Sequence, residues 1–278
     1  FLIGKEKDWV YIDWADMDKD GPLCAEQMLY AACFRVMAEI SKQLGKDGNV
    51  YRQEYEKLTA AIEKFFWDEE KGAYIDSFTS GKRNVTRHAN IFAILFDIAD
   101  KQKQEKILTN VLENDEIPAI TTPYFNFFEL DVLCQMGKLT EVLDKIRSYW
   151  GGMLDLGAVT FWEEYDPSVP KEEQYDMYGD HFGKSLCHAW AASPIYFLAK
   201  YFAGLDLVNK DGVTYVLKPQ MQYFTDLDCT LPVGSDGTVR LAWDGECLEV
   251  TADAEGGVLE LGEEKISLVR GETRRVKI

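Results

Sequence analysis

The chain has 278 residues, room for one large domain or for a large domain followed by a small one. A composition of 46% apolar and 28% charged residues excludes a disordered segment, and a net charge of -18 argues against nucleic acid and anionic membrane surfaces as partners. No run of about 18 apolar residues occurs, so the sequence offers no membrane-spanning helix. The 13% aromatic content points to rings presented to a neutral or cationic ligand.

The chain opens Phe-Leu-Ile-Gly-Lys, without an initiator Met, a basic leader or a cleavage pattern, and is expected to be an interior piece of a longer polypeptide. Cytoplasm and periplasm both remain open as its location. The acidic stretch Asp16-Met-Asp-Lys-Asp-Gly21 matches the start of an EF-hand loop, but the twelfth position is Gln27 instead of a bidentate acid. It is better read as an acidic loop capping a helix that begins near Pro22. Leu29, Cys33, Val36, Met37, Ile40 and Leu44 then mark one helix face, with Gly45 as its stop, and Tyr51, Tyr55, Leu58, Ile62 and Phe65 mark the next helix. Further helices are expected over 88–98, 102–113, 124–136, 139–150 and 185–203. In the last of these, Ser193-Pro194 either restarts the helix or kinks it. The six cysteines are scattered, with no paired spacing, and read as free thiols, most of them buried and Cys33 among them.

After Gly204 the period changes to two. Val239, Leu241 and Trp243 alternate with polar residues, Asp244-Gly245 supplies a two-residue turn, Leu248 and Val250 continue, and Gly256-Gly257 marks another reversal. The expected organisation is therefore a helical domain over 1–205 and an antiparallel β-sandwich over 206–278.

Chemistry concentrates in an aromatic and acidic cluster: Trp9, Asp13, Trp14 and Asp16; Tyr124, Phe125 and Phe128; Phe161 to Asp166; Tyr175 to Trp190. Aromatic faces stack on the C–H faces of sugars, and paired carboxylates hydrolyse glycosidic bonds. The residues alone leave open the blander reading, in which the rings are core and the acids a solvated rim. Gly179 to Ser185 fails as a P-loop, having three residues between its glycines and no preceding strand. His88, His181 and His188 are too dispersed for a local metal motif, and His88 is expected to pack at a helix start. Neither a metal nor a cofactor is expected.

Four segments carry a family resemblance. Tyr149-Trp-Gly-Gly-Met-Leu-Asp-Leu-Gly-Ala-Val-Thr-Phe-Trp-Glu163, then Ser185-Leu-Cys-His-Ala-Trp190 with Pro194 and Tyr196, resemble the bacterial α-L-rhamnosidase signature. Thr122-Pro-Tyr-Phe125 with Gln135-Met-Gly137, and Trp9-Val-Tyr-Ile-Asp-Trp14, agree with it. The resemblance implies an (α/α)6 six-hairpin barrel of twelve helices followed by a β-sandwich, and inverting hydrolysis of terminal α-L-rhamnosyl residues. It makes Glu163 the general base and His188 a partner of the sugar hydroxyls. Trp14 becomes the stacking ring, with Trp9 as the second choice, and Tyr124, Phe125 and Trp162 are further candidates for substrate contact.

Two departures matter. The family's general acid lies in a segment upstream of its Asp-Trp motif, and nothing of that kind is present here. The helices read from period number about seven rather than twelve. The expectation is a barrel incomplete at its N-terminal side, inactive by itself, with apolar helix faces that would favour self-association. Asp13, Asp16 or Asp18 would replace the acid only if placed opposite Glu163, about 6.5–9.5 Å away with a water between. Glu164 reads as a solvated or Arg/Lys-paired acid, and the loop 167–183 either closes over the sugar or is a solvated excursion. Two rivals stand beside this reading: a carbohydrate-binding or scaffold protein without chemistry, and another six-hairpin glycosidase or polysaccharide lyase.

Overall fold

A computed structural model describes residues 1–2, 10–210, 212–235 and 237–278. The chain forms two compact units, one of residues 1–136 and 149–191, the other of residues 137–148 and 192–278.

The first unit is helical. Helices α1 (Cys24–Gln43) and α2 (Asn49–Phe66) pack as a hairpin, a short ribbon β1 (Trp67–Asp68) and β2 (Ala73–Tyr74) follows, and α3 (Arg87–Leu95) packs on α1. Helix α4 (Lys101–Ile107) leads to α5 (Pro123–Gln135), which lies on α3. The core is built from Met28, Ile62, Phe66, Tyr74, Ile91 and Phe125, all without exposed surface. Helix α5 starts as its sequence dictates: the Thr122 side chain caps the Phe125 N–H at 3.2 Å and Pro123 occupies the first turn, where its missing N–H costs nothing.

Helix α1 turns a different face inward from the one its large apolar residues mark. Leu29, Val36, Met37, Ile40 and Leu44 are exposed, as is Cys33, while Cys24, Ala25, Met28, Ala31 and Ala32 are buried. The small side chains let two neighbouring helices approach closely, which an apolar count cannot register. The buried-thiol expectation holds for Cys24 and Cys134 but not for Cys33 or Cys187. Nor does the acidic loop cap α1, whose N-cap is Leu23 without a side-chain bond.

The expected helices over 102–113 and 139–150 each form in two parts, α4 with a π-helical turn Leu108–Leu112, and α6 (Leu139–Lys145) with another, Ile146–Trp150. A short α7 (Gly151–Asp155) follows. The widened turns allow the successive pairs Val111–Leu112 and Tyr149–Trp150 to be buried together. Residues 185–192 carry no α-helix; α8 (Ser193–Phe197) begins with Pro194 in its first turn and continues as a π-helical turn Leu198–Phe202. Among the described residues no helix is long and apolar enough to cross a membrane.

Eight strands of the second unit, β3 (Leu205–Lys210), β4 (Val213–Leu217), β5 (Leu227–Val233), β6 (Gly237–Trp243), β7 (Cys247–Ala252), β8 (Gly257–Leu261), β9 (Glu264–Leu268) and β10 (Thr273–Lys277), make two four-stranded sheets. One, ordered β10-β7-β6-β5, is antiparallel throughout. The other, ordered β3-β4-β8-β9, contains a parallel β4–β8 pair. The buried alternating residues Val239, Leu241, Leu248 and Val250 share a core with Tyr215, Leu217, Leu259 and Leu268 of the other sheet. The Asp244 carboxylate accepts the N–H groups of Glu246 and Cys247, so the β6–β7 connection is longer than the two-residue turn expected from Asp-Gly. Gly256-Gly257 carries the chain from one sheet to the other rather than turning a hairpin. Gly257 sits against Tyr215, whose ring a Cβ would meet at 2.3 Å.

The buried face of α1 makes a direct prediction. Met28→Ala should cost about 2–5 kcal/mol in denaturant unfolding, whereas Val36→Ala on the exposed stripe should stay within about 0.5 kcal/mol. Equal costs at the two positions would contradict this orientation.

Candidate active site

Glu163 is fixed by its backbone before its side chain is considered. Two extended segments lie side by side, with Glu163 N–H donating to Ser185 O at 2.9 Å and His188 N–H donating to Phe161 O at 2.8 Å. The indole N–H of Trp190 donates to the Glu163 carbonyl at 3.0 Å. This pairing brings together residues more than twenty positions apart and points the carboxylate of Glu163 toward the segment from Ser185 to His188.

The side chain of Glu163 is only 7% exposed. Its Oε2 accepts the Ser185 N–H at 3.0 Å and its Oε1 accepts the Tyr178 hydroxyl at 2.6 Å. His188 Nδ1 lies 3.9 Å from Oε2, near enough for attraction but beyond a hydrogen bond. Tyr178 comes from a two-residue turn closed by Met177 N–H to Asp180 O at 3.0 Å and Asp180 N–H to Met177 O at 2.9 Å. Both central residues have positive φ, Tyr178 at 57° and Gly179 at 80°. Glycine adopts that region freely, but a tyrosine there is unusual.

Aromatic contacts extend outward from this point. Tyr178 meets Trp14 edge-on at 5.6 Å, and Trp14 meets Tyr11 at 5.2 Å. On the other side Tyr124 stacks on Trp190 at 5.2 Å, and Trp190 adjoins His188 at 4.4 Å. Beneath Trp14, the buried Asp13 accepts the Thr122 hydroxyl at 2.6 Å and stands 2.9 Å from His88 Nε2. A proton on Nε2 satisfies that contact, and His88 Nδ1 is buried without a partner. His88 thus does more than pack at a helix start: it holds the segment that carries Trp14.

The phenols respond to this setting. Burial first, then the neighbouring Asp13 carboxylate, raise the hydroxyls of Tyr11 and Tyr124. Tyr178 is pushed up to about 12, by desolvation and then by its bond to Glu163. Lys184 is lowered by burial, although Glu164 lies 3.8 Å away. Glu164 also accepts from Thr121 at 3.1 Å, so of the two readings, solvated or Arg/Lys-paired, it takes the paired one, with Lys184.

The structure therefore gathers Glu163, His188, Trp14 and Tyr124 into one neighbourhood. Two other sequence candidates lie in the interior: Phe125 has no exposed surface and packs on His88 and Phe92, and Trp162 is buried against Tyr175. Their size made them resemble ligand rings, but each fills core. Trp9 lies outside the described residues. In the EF-like loop Asp18 accepts from Ser80 and from the Asp20 N–H, with Lys82 at 3.9 Å, so this carboxylate already has protein donors. Among the described residues no three His, Cys, Asp or Glu side chains gather as metal ligands. Ser185 and Trp190 entered the sequence reading only as the ends of the signature segment, and Tyr178 was not singled out; the Tyr178-Gly179 dipeptide was the available signal, inside an acidic, tyrosine-rich loop. A separate cavity of about 1070 Å³ opens in the β-unit among Lys218, Phe224, Trp243 and Glu260 and contains none of these residues.

Residues 3–202 match the bacterial alpha-L-rhamnosidase six-hairpin glycosidase domain. The chain belongs to that family. Among solved structures, a GH78-family rhamnosidase of Bacillus sp. GL1 is 23% identical, with a TM-score of 0.76 over 92% of this chain and 28% of that one. A Klebsiella oxytoca rhamnosidase with rhamnose bound is 29% identical, with a TM-score of 0.60 over 71% of this chain and 37% of that one. An α-L-rhamnosidase of Streptomyces avermitilis, complexed with L-rhamnose, is 16% identical with a TM-score of 0.61, over 84% and 22% of the two chains. The chain thus spans between about a fifth and two fifths of these relatives. No curated protein matches it. The family's six-hairpin helical domain and following β-domain agree with the helical and β-sandwich regions of this chain. The described helices do not close a barrel.

The bond to Glu163 has a titration signature. The folded state disfavours the Tyr178 phenolate, so this contribution to stability is present below the ordinary phenol value near 10 and is lost as pH rises toward about 12. Glu163→Gln should move the Tyr178 transition back toward 10, read from phenolate ultraviolet absorbance with Tyr178→Phe identifying the signal. An unmoved transition would show that the two groups are not coupled.

Proposed function

We propose that this chain carries the base side of an inverting α-L-rhamnosidase site, in which Glu163 takes a proton from the water that attacks the anomeric carbon. The observation that carries the reading is the Glu163 carboxylate itself. It is almost fully desolvated and bonded by one hydroxyl and one backbone N–H, with no Lys or Arg within ion-pair distance among the described residues. An ion-paired carboxylate would be a poorer base; one bonded only to neutral donors has no cation competing for its lone pairs. Trp14 and Tyr124 supply ring surface for a sugar, and His188 can bond its hydroxyls. The rhamnose-bound relatives support rhamnosides as the ligand class. The catalytic portion is proposed to run over 1–205 and the β-domain over 206–278.

The general acid is assigned to no residue in this reading. Asp13 and Asp18, two of the acids available near the Asp-Trp segment, are buried and already bonded within the protein. General acid help is worth roughly 10²–10⁴-fold for a poor leaving group, so the leaving group decides what the chain can do alone. The inactivity expected of the chain by itself concerns poor leaving groups; a nitrophenyl α-L-rhamnoside, which departs with little assistance, should be hydrolysed, and Glu163→Gln should lower that rate by roughly 10²-fold or more. The first product, followed by NMR, should be the β-anomer. An alkyl α-L-rhamnoside should turn over far more slowly; equal turnover of the two would place the acid within this chain. Sugar binding unaffected by Glu163→Gln, without turnover of either substrate, would favour a carbohydrate-binding protein. Preference for another glycoside in a substrate panel would favour a different six-hairpin glycosidase.

A further inference from the structure

We propose that the Tyr178 hydroxyl is the second group that holds the attacking water, and that Tyr178 with Glu163 forms the subsite for the anomeric oxygen of the product. This rests on the reading of Glu163 as the base. The carboxylate has two oxygens with different surroundings. Oε2 is engaged by the Ser185 N–H and faces His188, whereas the recorded hydrogen bond to Oε1 comes from Tyr178 at 2.6 Å. The phenol donates its single proton to Oε1, which leaves its own lone pairs as acceptors. An attacking water has two protons to place: one must go to the base, and the other needs an acceptor beside it. Tyr178 Oη is that acceptor.

In the resulting step the water oxygen forms its bond to C1 with a lone pair, and one water proton passes to Glu163. The glycosidic bond breaks with its electron pair leaving on the aglycone oxygen, as phenolate or after protonation by a carboxylic acid or water. The second water proton stays on the new hydroxyl, donated to Tyr178. Inversion leaves that hydroxyl where the water stood, as O1 of the β-anomer.

The turn that delivers Tyr178 argues for a dedicated role. The residue is 64% exposed, so packing does not demand a tyrosine here, and its φ of 57° is one that large side chains avoid. Two backbone rungs nevertheless hold it there, with the ring braced on Trp14.

The test compares two sugars by calorimetry, so that it does not depend on turnover: L-rhamnose, and 1,5-anhydro-L-rhamnitol, which lacks O1. The wild-type chain should bind L-rhamnose about three- to tenfold more tightly, the worth of one hydrogen-bonded hydroxyl. Tyr178→Phe should bring that ratio toward one while leaving the affinity for the anhydro sugar unchanged. Parallel weakening of both sugars would mean that Tyr178 merely supports the site, and an unchanged ratio would mean that it does not contact O1; either overturns the proposal. If the wild-type chain binds neither sugar, the rhamnosyl site fails and the proposal falls with it. Inactivity on rhamnosides with the expected ratio intact would leave Tyr178 in place and locate the failure elsewhere in the reaction.

Discussion

The organisation around Glu163 follows from the cost of taking a carboxylate out of water without giving it a counter-charge. Such a group needs donors, and the effective penalty without them is several kcal/mol. The chain meets this with the Ser185 N–H, the Tyr178 hydroxyl and the paired backbone that fixes Glu163 against residues 185–188. The adjacent Glu164 shows the other solution, a buried lysine 3.8 Å away. Two neighbouring acids thus have opposite environments: one is neutralised, the other only solvated by protein dipoles. The proposed role of Glu163 as a base rests on that difference more than on burial itself.

The same logic operates one layer down. Asp13 is buried, accepts from Thr122, and faces His88. Thr122 also caps α5, and His88 belongs to α3, so a single carboxylate joins the Trp14 segment to the starts of two helices. Breaking a buried, hydrogen-bonded acid of this kind leaves its partners unsatisfied, which costs more than the bond itself contributes. Trp14 lies in no helix, so its segment is held by that junction together with the ring contacts to Tyr11 and Tyr178.

Much of the architecture is legible from periodicity and caps. Helix α2 appears where Leu58 and Ile62 place it, α5 starts at Thr-Pro, and the alternation of Val239 and Leu241 gives a half-buried strand. The failures share a cause. On α1 the large apolar residues were read as the informative face, yet close helix packing selected alanines. Gly256-Gly257 specified a bend, but turn chemistry says nothing about which strand the chain joins next. At the site, the motif identified Glu163 and His188, whose segments pair directly. Phe125 and Trp162 were drawn in by ring size, which does not distinguish a ligand platform from core. Tyr178 reaches Glu163 across fifteen residues through a turn, and no spacing rule encodes such a reach.

Tyr178 and its turn also illustrate how local cost and tertiary gain are coupled. A non-glycine residue in the left-handed region costs about 1–3 kcal/mol, and a hydrogen bond to a charged acceptor contributes about 1.5–3 kcal/mol. These terms are of the same size, so the bond to Glu163 offsets the strain of a turn that its two backbone rungs and Trp14 also hold, and without Tyr178 the carboxylate loses its donor on Oε1. A balance this close fits the proposed role, in which the pair would have to admit a water and a sugar beside it. Replacing the tyrosine with the Asn or Gly that such turns favour would relax the backbone and remove the hydroxyl together. The strain is therefore explained by the side chain's reach, not by the turn that bears it.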